Sequence, residues 1–207
     1  VLQAVLSPGQ KLMAVVKADA YGHGAVPVSR ALADLGAEYL AVSNLEEAVQ
    51  IRRGEVRLPI LILGYTPAEF AANMIFLDIT QEVHSLAYAQ ELNEALAGTN
   101  YILNVHLKLD TGMTRIGFFA YDNDRTLDEL KQVAALTHLH SLTSLPLVVY
   151  PNSGEHYDAV SKTWHHHGEA CETLAGYLPQ WLAAGARLIG GCCRTTPQDI
   201  AALAAGR

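Results

Sequence analysis

Short apolar runs alternate with amphipathic stretches along the whole chain. The runs span residues 11–19 (KLMAVVKAD), 38–44 (EYLAVSN), 58–64 (LPILILG), 76–80 (FLDIT), 101–110 (YILNVHLKLD), 145–152 (LPLVVYPN) and 186–192 (ARLIGGC). Their near-continuous valine, isoleucine and leucine predict strands buried on both faces. Between them, stretches such as VPVSRALADLG, LEEAVQIRRG, SLAYAQELNEALAG and DRTLDELKQVAALTHL repeat apolar residues at helical spacing. Strand–helix alternation throughout predicts parallel βαβ units and an α/β fold. Gly36, Gly54 and Gly98 stand where helices should stop.

Polar residues gather at the carboxyl ends of these runs: Lys17, Ser43-Asn44, Tyr65-Thr66, Thr80-Gln81, Lys108 with Asp110, Tyr150 to Asn152, and Cys192-Cys193. That edge is where a parallel barrel or a doubly wound sheet builds its site. No GxGxxG or P-loop follows any strand, which favours a (β/α) barrel of the TIM type. Seven strands are clear, whereas the closed fold is eight-stranded. The sixth should lie between Asp122 and Leu145, yet that span reads as helix followed by HSLTSL. The barrel is therefore expected to be incomplete or rearranged. Residues 138–145 or 1–8 could fill the gap, or the open edge could pair with a second copy as a homodimer. With no repeat or linker in view, a single domain over residues 1–207 is expected.

Composition narrows the function. Half of the 207 residues are hydrophobic, 17% are charged and the net charge is −7. With no basic stripe, nucleic acid is an unlikely class of partner on physical grounds. No window reaches the roughly 18 uninterrupted apolar residues of a membrane span. The opening VLQAVLSPGQ has neither the basic region nor the cleavage site of a signal peptide. The three cysteines, Cys171, Cys192 and Cys193, are odd in number and two are adjacent. That argues against a disulfide framework and for a reducing compartment. The run TWHHHGE (163–169) reads as solvated helix surface, because successive helical side chains point to different sides. His23 and His106 read as hydrogen-bonded structural residues.

Lys17 is one of five lysines and sits where an apolar strand meets AVVKADAYGHG. A lysine in an apolar pocket loses its charge readily, and the neutral amine can then form a Schiff base. A snorkelling strand-end lysine is the equally open alternative. KLMAVVKADAYGHG resembles the cofactor-binding segment of alanine racemase, a pyridoxal-phosphate (PLP) isomerase, and VHLKLDTGMTRIGF (105–118) resembles its second signature. LAVSNLEEAVQIRR and PILILGYTPAEF match the strands between, so the resemblance runs from about Gln10 to about Ala134. It implies that Lys17 is the Schiff-base lysine and the base on one face of an amino-acid substrate. It implies too that Tyr21 lies near the cofactor phosphate, and that Lys108 is a carbamylated lysine orienting Arg115. Arg115 would then bond the cofactor ring oxygen and the substrate carboxylate.

Beyond about His138 that resemblance stops. The racemase's later strands, its C-terminal β domain and the tyrosine which that domain contributes are without a counterpart. LPLVVYPNSGEHYDAVSKTW (145–164) and WLAAGARLIGGCCRTTPQDIAAL (181–203) instead resemble the end of homocysteine S-methyltransferase, a zinc-binding barrel enzyme. By that resemblance Cys192 and Cys193 are two of three zinc ligands; the third lies on a strand this chain lacks, which leaves the zinc site short. Gly190-Gly191 precede a helix that Thr195 or Thr196 can cap, with Pro197 in its first turn. A helix start behind a glycine turn is a ready phosphate site. Two incomplete signatures in one chain imply an engineered chimera: a racemase-like part, 1–137, and a methyltransferase-like part, 138–207, joined near 134–140. Three readings follow: a barrel retaining part of a PLP site with weak or absent racemase and methyltransferase activity, an inert folded scaffold, or a residual zinc-thiolate site.

Overall fold

The computed structural model describes residues 11–110, 114–119, 123–136, 139–140, 147–149, 155–158, 161–166, 174–183, 186–189 and 195–206. The chain forms two compact units, one over Lys11–Leu145 and one within Pro146–Arg207.

In the first unit, β1 (Met13–Val15), β2 (Tyr39–Val42), β3 (Ile60–Ile62), β4 (Ile79–Val83), β5 (Leu103–Leu107) and β8 (Leu139–His140) form one sheet in that order. Every pairing in it is parallel. Each strand lies beside its predecessor, which is the progression of a (β/α) barrel. The helices between them are α2 (Ala25–Asp34), α3 (Leu45–Arg53), α4 (Ala71–Phe76), α5 (Leu86–Ala95) and α6 (Asn123–Ala134). The apolar runs are covered on both faces as their composition predicts: Leu40, Ala41, Val42, Ile60, Leu61 and Ile62 are all buried. Side chains fix the helix starts. The Asn44 side chain accepts the Glu47 N–H ahead of α3, and Ser85 accepts the Tyr88 N–H ahead of α5.

The sixth strand position is filled by Leu139–His140, which pair with Leu103 and Asn104 of β5. Of the alternatives open in the sequence, the chain thus uses part of 138–145. One expectation needs correction. The fourth strand is Ile79–Val83 rather than 76–80, because α4 runs on to Phe76 and Asp78 turns the chain at φ 51°. Gln81 and Glu82 therefore lie inside the strand, and both are buried. Gly54 is the C-cap of α3 as read, at φ −77°, and Glu55 after it takes the left-handed φ of 63°. Gly54 serves close approach: a Cβ there would lie 2.5 Å from Val26 Cγ1, on α2.

Arg52, at the last turn of α3, ties three segments together. Its guanidinium donates to the carbonyls of Val56 (2.9 Å) and Leu58 (2.8 Å) before β3, and of Leu77 (2.7 Å) and Asp78 (2.8 Å) before β4.

In the second unit, β9 (Leu147–Val149) pairs in parallel with β12 (Ala186–Ile189). The helices α7 (Leu174–Ala183) and α8 (Pro197–Ala205) pack on each other, burying Leu178 and Leu203. Thr196 caps α8, its hydroxyl accepting the Asp199 N–H while Asp199 accepts the Thr196 N–H, and Pro197 stands in the first turn. That is the start read from the sequence. The histidine run is a further correction. β10 (Glu155–Asp158) and β11 (Thr163–His166) form an antiparallel pair, so His165 and His166 belong to a strand rather than a helix.

Arg52→Ala is expected to destabilise the chain by about 2–4 kcal/mol, since it strands four carbonyls that a charged donor now serves. Urea unfolding of both proteins measures this, and an unchanged midpoint would contradict the role given to Arg52.

Candidate functional site

The segment after β1 is built against local preference. Ala18, Asp19, Ala20 and Tyr21 have φ of 52°, 53°, 52° and 55°, one turn of left-handed backbone within α1 (Lys17–Tyr21). L-residues resist this conformation by roughly 1–2 kcal/mol each. Two carboxylates hold it. Glu47 Oε1 accepts the Ala18 N–H at 2.8 Å while its Oε2 accepts the Ser43 N–H at 2.7 Å, tying the end of β1 to the end of β2. Asp19 Oδ1 accepts the Ala25 N–H at 2.6 Å, fixing the start of α2. Lys17, half-buried, thus leaves the strand end on a backbone clamped from both sides. Its amine has no hydrogen-bond or ion-pair partner among the described residues. Tyr21 is 63% exposed.

A second cluster lies at the carboxyl ends of β3, β4 and β5. The Lys108 N–H donates to the Val83 carbonyl at 2.9 Å, continuing the ladder, and its Nζ lies 3.3 Å from Glu82 Oε2. Glu82 Oε1 faces His84 Nδ1 at 3.4 Å without hydrogen-bond geometry, and neither atom has a partner among the described residues. Thr66 Oγ1 and Gln81 Oε1, on the same edge, are also buried and unpartnered there. His84 stacks on Tyr88 at 5.0 Å, and Tyr65 meets Tyr88 at 4.9 Å. The Tyr88 hydroxyl donates to the Thr66 carbonyl at 2.6 Å, and burial raises its pKa. Burial pushes the Glu82 carboxyl up to about 7, against the lowering pull of Lys108 and Arg115. Burial, then the Lys108 charge, lowers His84, with Glu91 opposing.

Arg115 is placed by its backbone. Asp110 is buried; its Oδ1 accepts the Thr114 N–H at 3.0 Å and its Oδ2 the Arg115 N–H at 2.9 Å. The strands β6 (Leu109–Asp110) and β7 (Phe118–Phe119) then pair in parallel, and the Phe118 N–H reaches the Lys108 carbonyl at 2.8 Å. Gly117 permits that closure: at φ 136°, a Cβ would lie 2.9 Å from Asp110 N and 3.0 Å from the Lys108 carbonyl oxygen. Lys108 is therefore paired with Glu82, whose carboxyl the Arg115 charge also favours in its ionised form, while Lys17 follows β1, an edge strand of the sheet.

Glu47 and Glu82 were not singled out by sequence reasoning, although the spacing Asn44-x-x-Glu47 is a capping-box signal for the first; Asp110 stood among the polar residues read at the strand ends. Neither His23 nor His106 has a side-chain hydrogen bond among the described residues, where both were expected to; burial lowers the His106 pKa. Gly190, Gly191, Cys171, Cys192 and Cys193 lie outside the described residues. Among the described residues no group of three or more His, Cys, Asp or Glu could hold a metal ion, and no helix is long and apolar enough to cross a membrane.

Parallel βαβ units in barrel order, with lysines and buried carboxylates collected on the carboxyl edge, define a (β/α) barrel-like α/β protein of the kind that carries small-molecule chemistry at that edge. Comparison with known proteins makes this specific. The chain belongs to the alanine racemase N-terminal domain family, which matches residues 1–184. It is 42% identical to alanine racemase 1 of Clostridium acetobutylicum over 133 residues, covering 64% of this chain and 34% of that protein. It is also 86% identical to homocysteine S-methyltransferase of Escherichia coli (strain K12) over 72 residues, covering 35% of this chain and 23% of that enzyme. Only residues 185–207 lie beyond the family match, so the two similarities overlap. Among solved structures, alanine racemase of Clostridium difficile 630 superposes with TM-score 0.62 at 40% identity over 67% of this chain and 36% of its own. Its complex with cycloserine superposes with TM-score 0.66 at 31% identity over 91% and 50%. The chain thus spans half or less of each relative.

Glu82 gives the site a pH signature. Its folded pKa lies above the ordinary carboxyl value of 4.5, so the folded state holds the proton more tightly. Stability from this group is full below about pH 4.5 and falls by about 3 kcal/mol as pH rises to 7, staying level above. The lowered His84 acts in the opposite sense below its ordinary range, so the comparison with Glu82→Gln isolates the carboxyl. Unfolding free energies of the two proteins should converge on acidification, with wild type losing ground toward pH 7. A difference that does not vary with pH would contradict the burial of Glu82.

Proposed function

We propose that the chain is an engineered fusion of a racemase barrel fragment with a methyltransferase barrel fragment, and that its racemase-like part keeps one wall of a pyridoxal-phosphate site centred on Lys17. The observation that carries this is the turn after Lys17. Strained backbone of this sort concentrates at functional sites, and here two carboxylates are committed to maintaining it.

The residues suit the cofactor in kind. Lys17 offers an uncommitted, half-buried amine for the aldehyde carbon. Arg115, its backbone held by Asp110, offers a cation for the ring oxygen and the substrate carboxylate, and Lys108, paired with Glu82, is the proposed orienting residue. Tyr21 is open to solvent on the turn, available to the phosphate. When bound, pyridoxal phosphate supplies an electron sink that acidifies the α-hydrogen of an amino acid. Lys17 would then take that proton on one face. Racemisation needs an acid or base on each face, and the racemase-like residues assigned here supply one. We therefore expect racemase activity to be weak or absent, and methyl transfer, with two of three thiolates assigned, to be absent. An inert scaffold is the second reading, a residual zinc site at Cys192 and Cys193 the third, and pairing through an open sheet edge the proposed route to a homodimer.

Incubation with pyridoxal phosphate followed by borohydride should leave one phosphopyridoxyl group, found by peptide mass spectrometry on Lys17 and lost in Lys17→Ala. Labelling spread over Lys11, Lys131 and Lys162 with none on Lys17 would contradict the proposal and favour the inert scaffold.

A further inference from the structure

We propose that Glu82 and His84 form a one-proton switch on the carboxyl edge of the sheet: a single proton taken up between Glu82 Oε1 and His84 Nδ1 joins the two side chains, turns the His84 ring against Tyr88 and removes the negative charge that acts on Arg115. The switch stands apart from the pyridoxal-phosphate reading, since neither group is assigned to the cofactor.

The contact is close but unmade. Glu82 Oε1 and His84 Nδ1 meet at 3.4 Å, with the two side chains 3% and 19% exposed. Both atoms are buried, and neither has a hydrogen-bond partner among the described residues. The distance suits a hydrogen bond and the direction does not, so one of the two groups must turn to make it. The carboxyl is tied at its other oxygen, where Lys108 Nζ lies 3.3 Å from Oε2. The imidazole makes ring contacts, stacked on Tyr88 at 5.0 Å and edge-on to Tyr65 at 6.4 Å. Rotation of an imidazole about its Cβ–Cγ bond is soft. His84 is therefore the group that moves.

One proton is what the contact lacks. With Glu82 ionised and His84 neutral, no hydrogen points between the two atoms, and each buried orphan costs free energy. The nearby donors are committed elsewhere. The Tyr88 hydroxyl donates to the Thr66 carbonyl at 2.6 Å, and Lys108 serves the opposite carboxyl oxygen. The groups facing the pair are His106 across the ladder on β5, Lys108 after β5, Arg115 on the loop closed by Asp110, Tyr65 after β3, and Tyr88 and Glu91 on α5. A proton from solvent satisfies both orphans at once, the carboxyl O–H donating to the imidazole nitrogen. Burial acts in the sense that puts this proton on the carboxyl, because it pushes Glu82 up to about 7 and lowers His84. Groups this close titrate as a pair rather than singly.

Above the transition the pair carries one negative charge, and below it none. The Arg115 charge acts on Glu82, so by reciprocity Arg115 feels the loss. The same step changes how His84 meets Tyr88, in the aromatic cluster that Tyr65, 52% exposed, shares. Charge and shape at this edge thus change together near neutral pH.

The test is an NMR titration of the whole chain without cofactor, carrying 13C in its glutamate carboxyls and 15N in its histidine rings, from about pH 5 to about pH 9. The Glu82 and His84 signals are those lost in Glu82→Gln and His84→Phe. In wild type the Glu82 carboxyl carbon and His84 Nδ1 should move in one shared step near pH 7, and the contacts between the His84 and Tyr88 rings should change with it. In Glu82→Gln the His84 step should fall by about one pH unit or more. A Glu82 step in wild type that leaves His84 Nδ1 or its contacts with Tyr88 unmoved would overturn the proposal without recourse to any variant, as would the absence of a Glu82 step from this range. A His84 step at the same pH in wild type and in folded Glu82→Gln would overturn it as well.

Discussion

The two hydrogen bonds of the Glu47 carboxylate hold the site end of this fold together. One oxygen takes the Ala18 N–H and the other the Ser43 N–H, so the ends of β1 and β2 are joined by a side chain where the backbone ladder runs out. Without that bridge nothing in the sequence favours left-handed backbone at Ala18, Asp19, Ala20 and Tyr21, residues that include no glycine. With it, the chain leaves β1, makes the reversed turn and enters α2 under the Asp19 cap. The direction in which Lys17 departs from its strand follows from this one arrangement.

A parallel sheet puts every strand's carboxyl end on one edge, and here that edge collects charge that the core must tolerate. Glu82, Gln81 and Thr66 are buried with polar atoms left unmatched, and the Tyr65–Tyr88–His84 cluster closes over them. Asp110 does the opposite: each of its oxygens is matched by a backbone N–H, and the loop carrying Arg115 is correspondingly defined. The fully matched carboxylate builds backbone, while the partly matched one shapes the electrostatics around Lys108 and Arg115.

Much of this was legible in the sequence. The apolar runs located five of the six strands of the sheet, Thr196 marked a helix start, and Lys17 and Lys108 fell at strand ends as read. What was missed shares a physical cause. The fourth strand was placed early because Phe76 and Leu77 extend its apolar run, although they close α4; that shift hid Glu82 in a presumed loop. The left-handed turn contradicts the propensity of its own residues and is dictated by Glu47, 29 positions from Ala18. The histidines of β11 read as helical because pairing with β10 is a tertiary fact. Arg52 drew no reading from the sequence, and only the fold shows the four carbonyls it reaches.

The racemase family match runs to residue 184 and overlaps the 72-residue methyltransferase similarity. The account rests on the racemase-like part forming its site backbone by itself, before any ligand arrives. Backbone NMR of the free chain tests that most directly, through the one-bond Cα–Hα couplings and intra-residue amide–Hα distances of Ala18, Asp19, Ala20 and Tyr21. The account predicts positive φ at all four, lost when Glu47 is replaced by alanine. Negative φ at these residues in the free wild-type chain would contradict it.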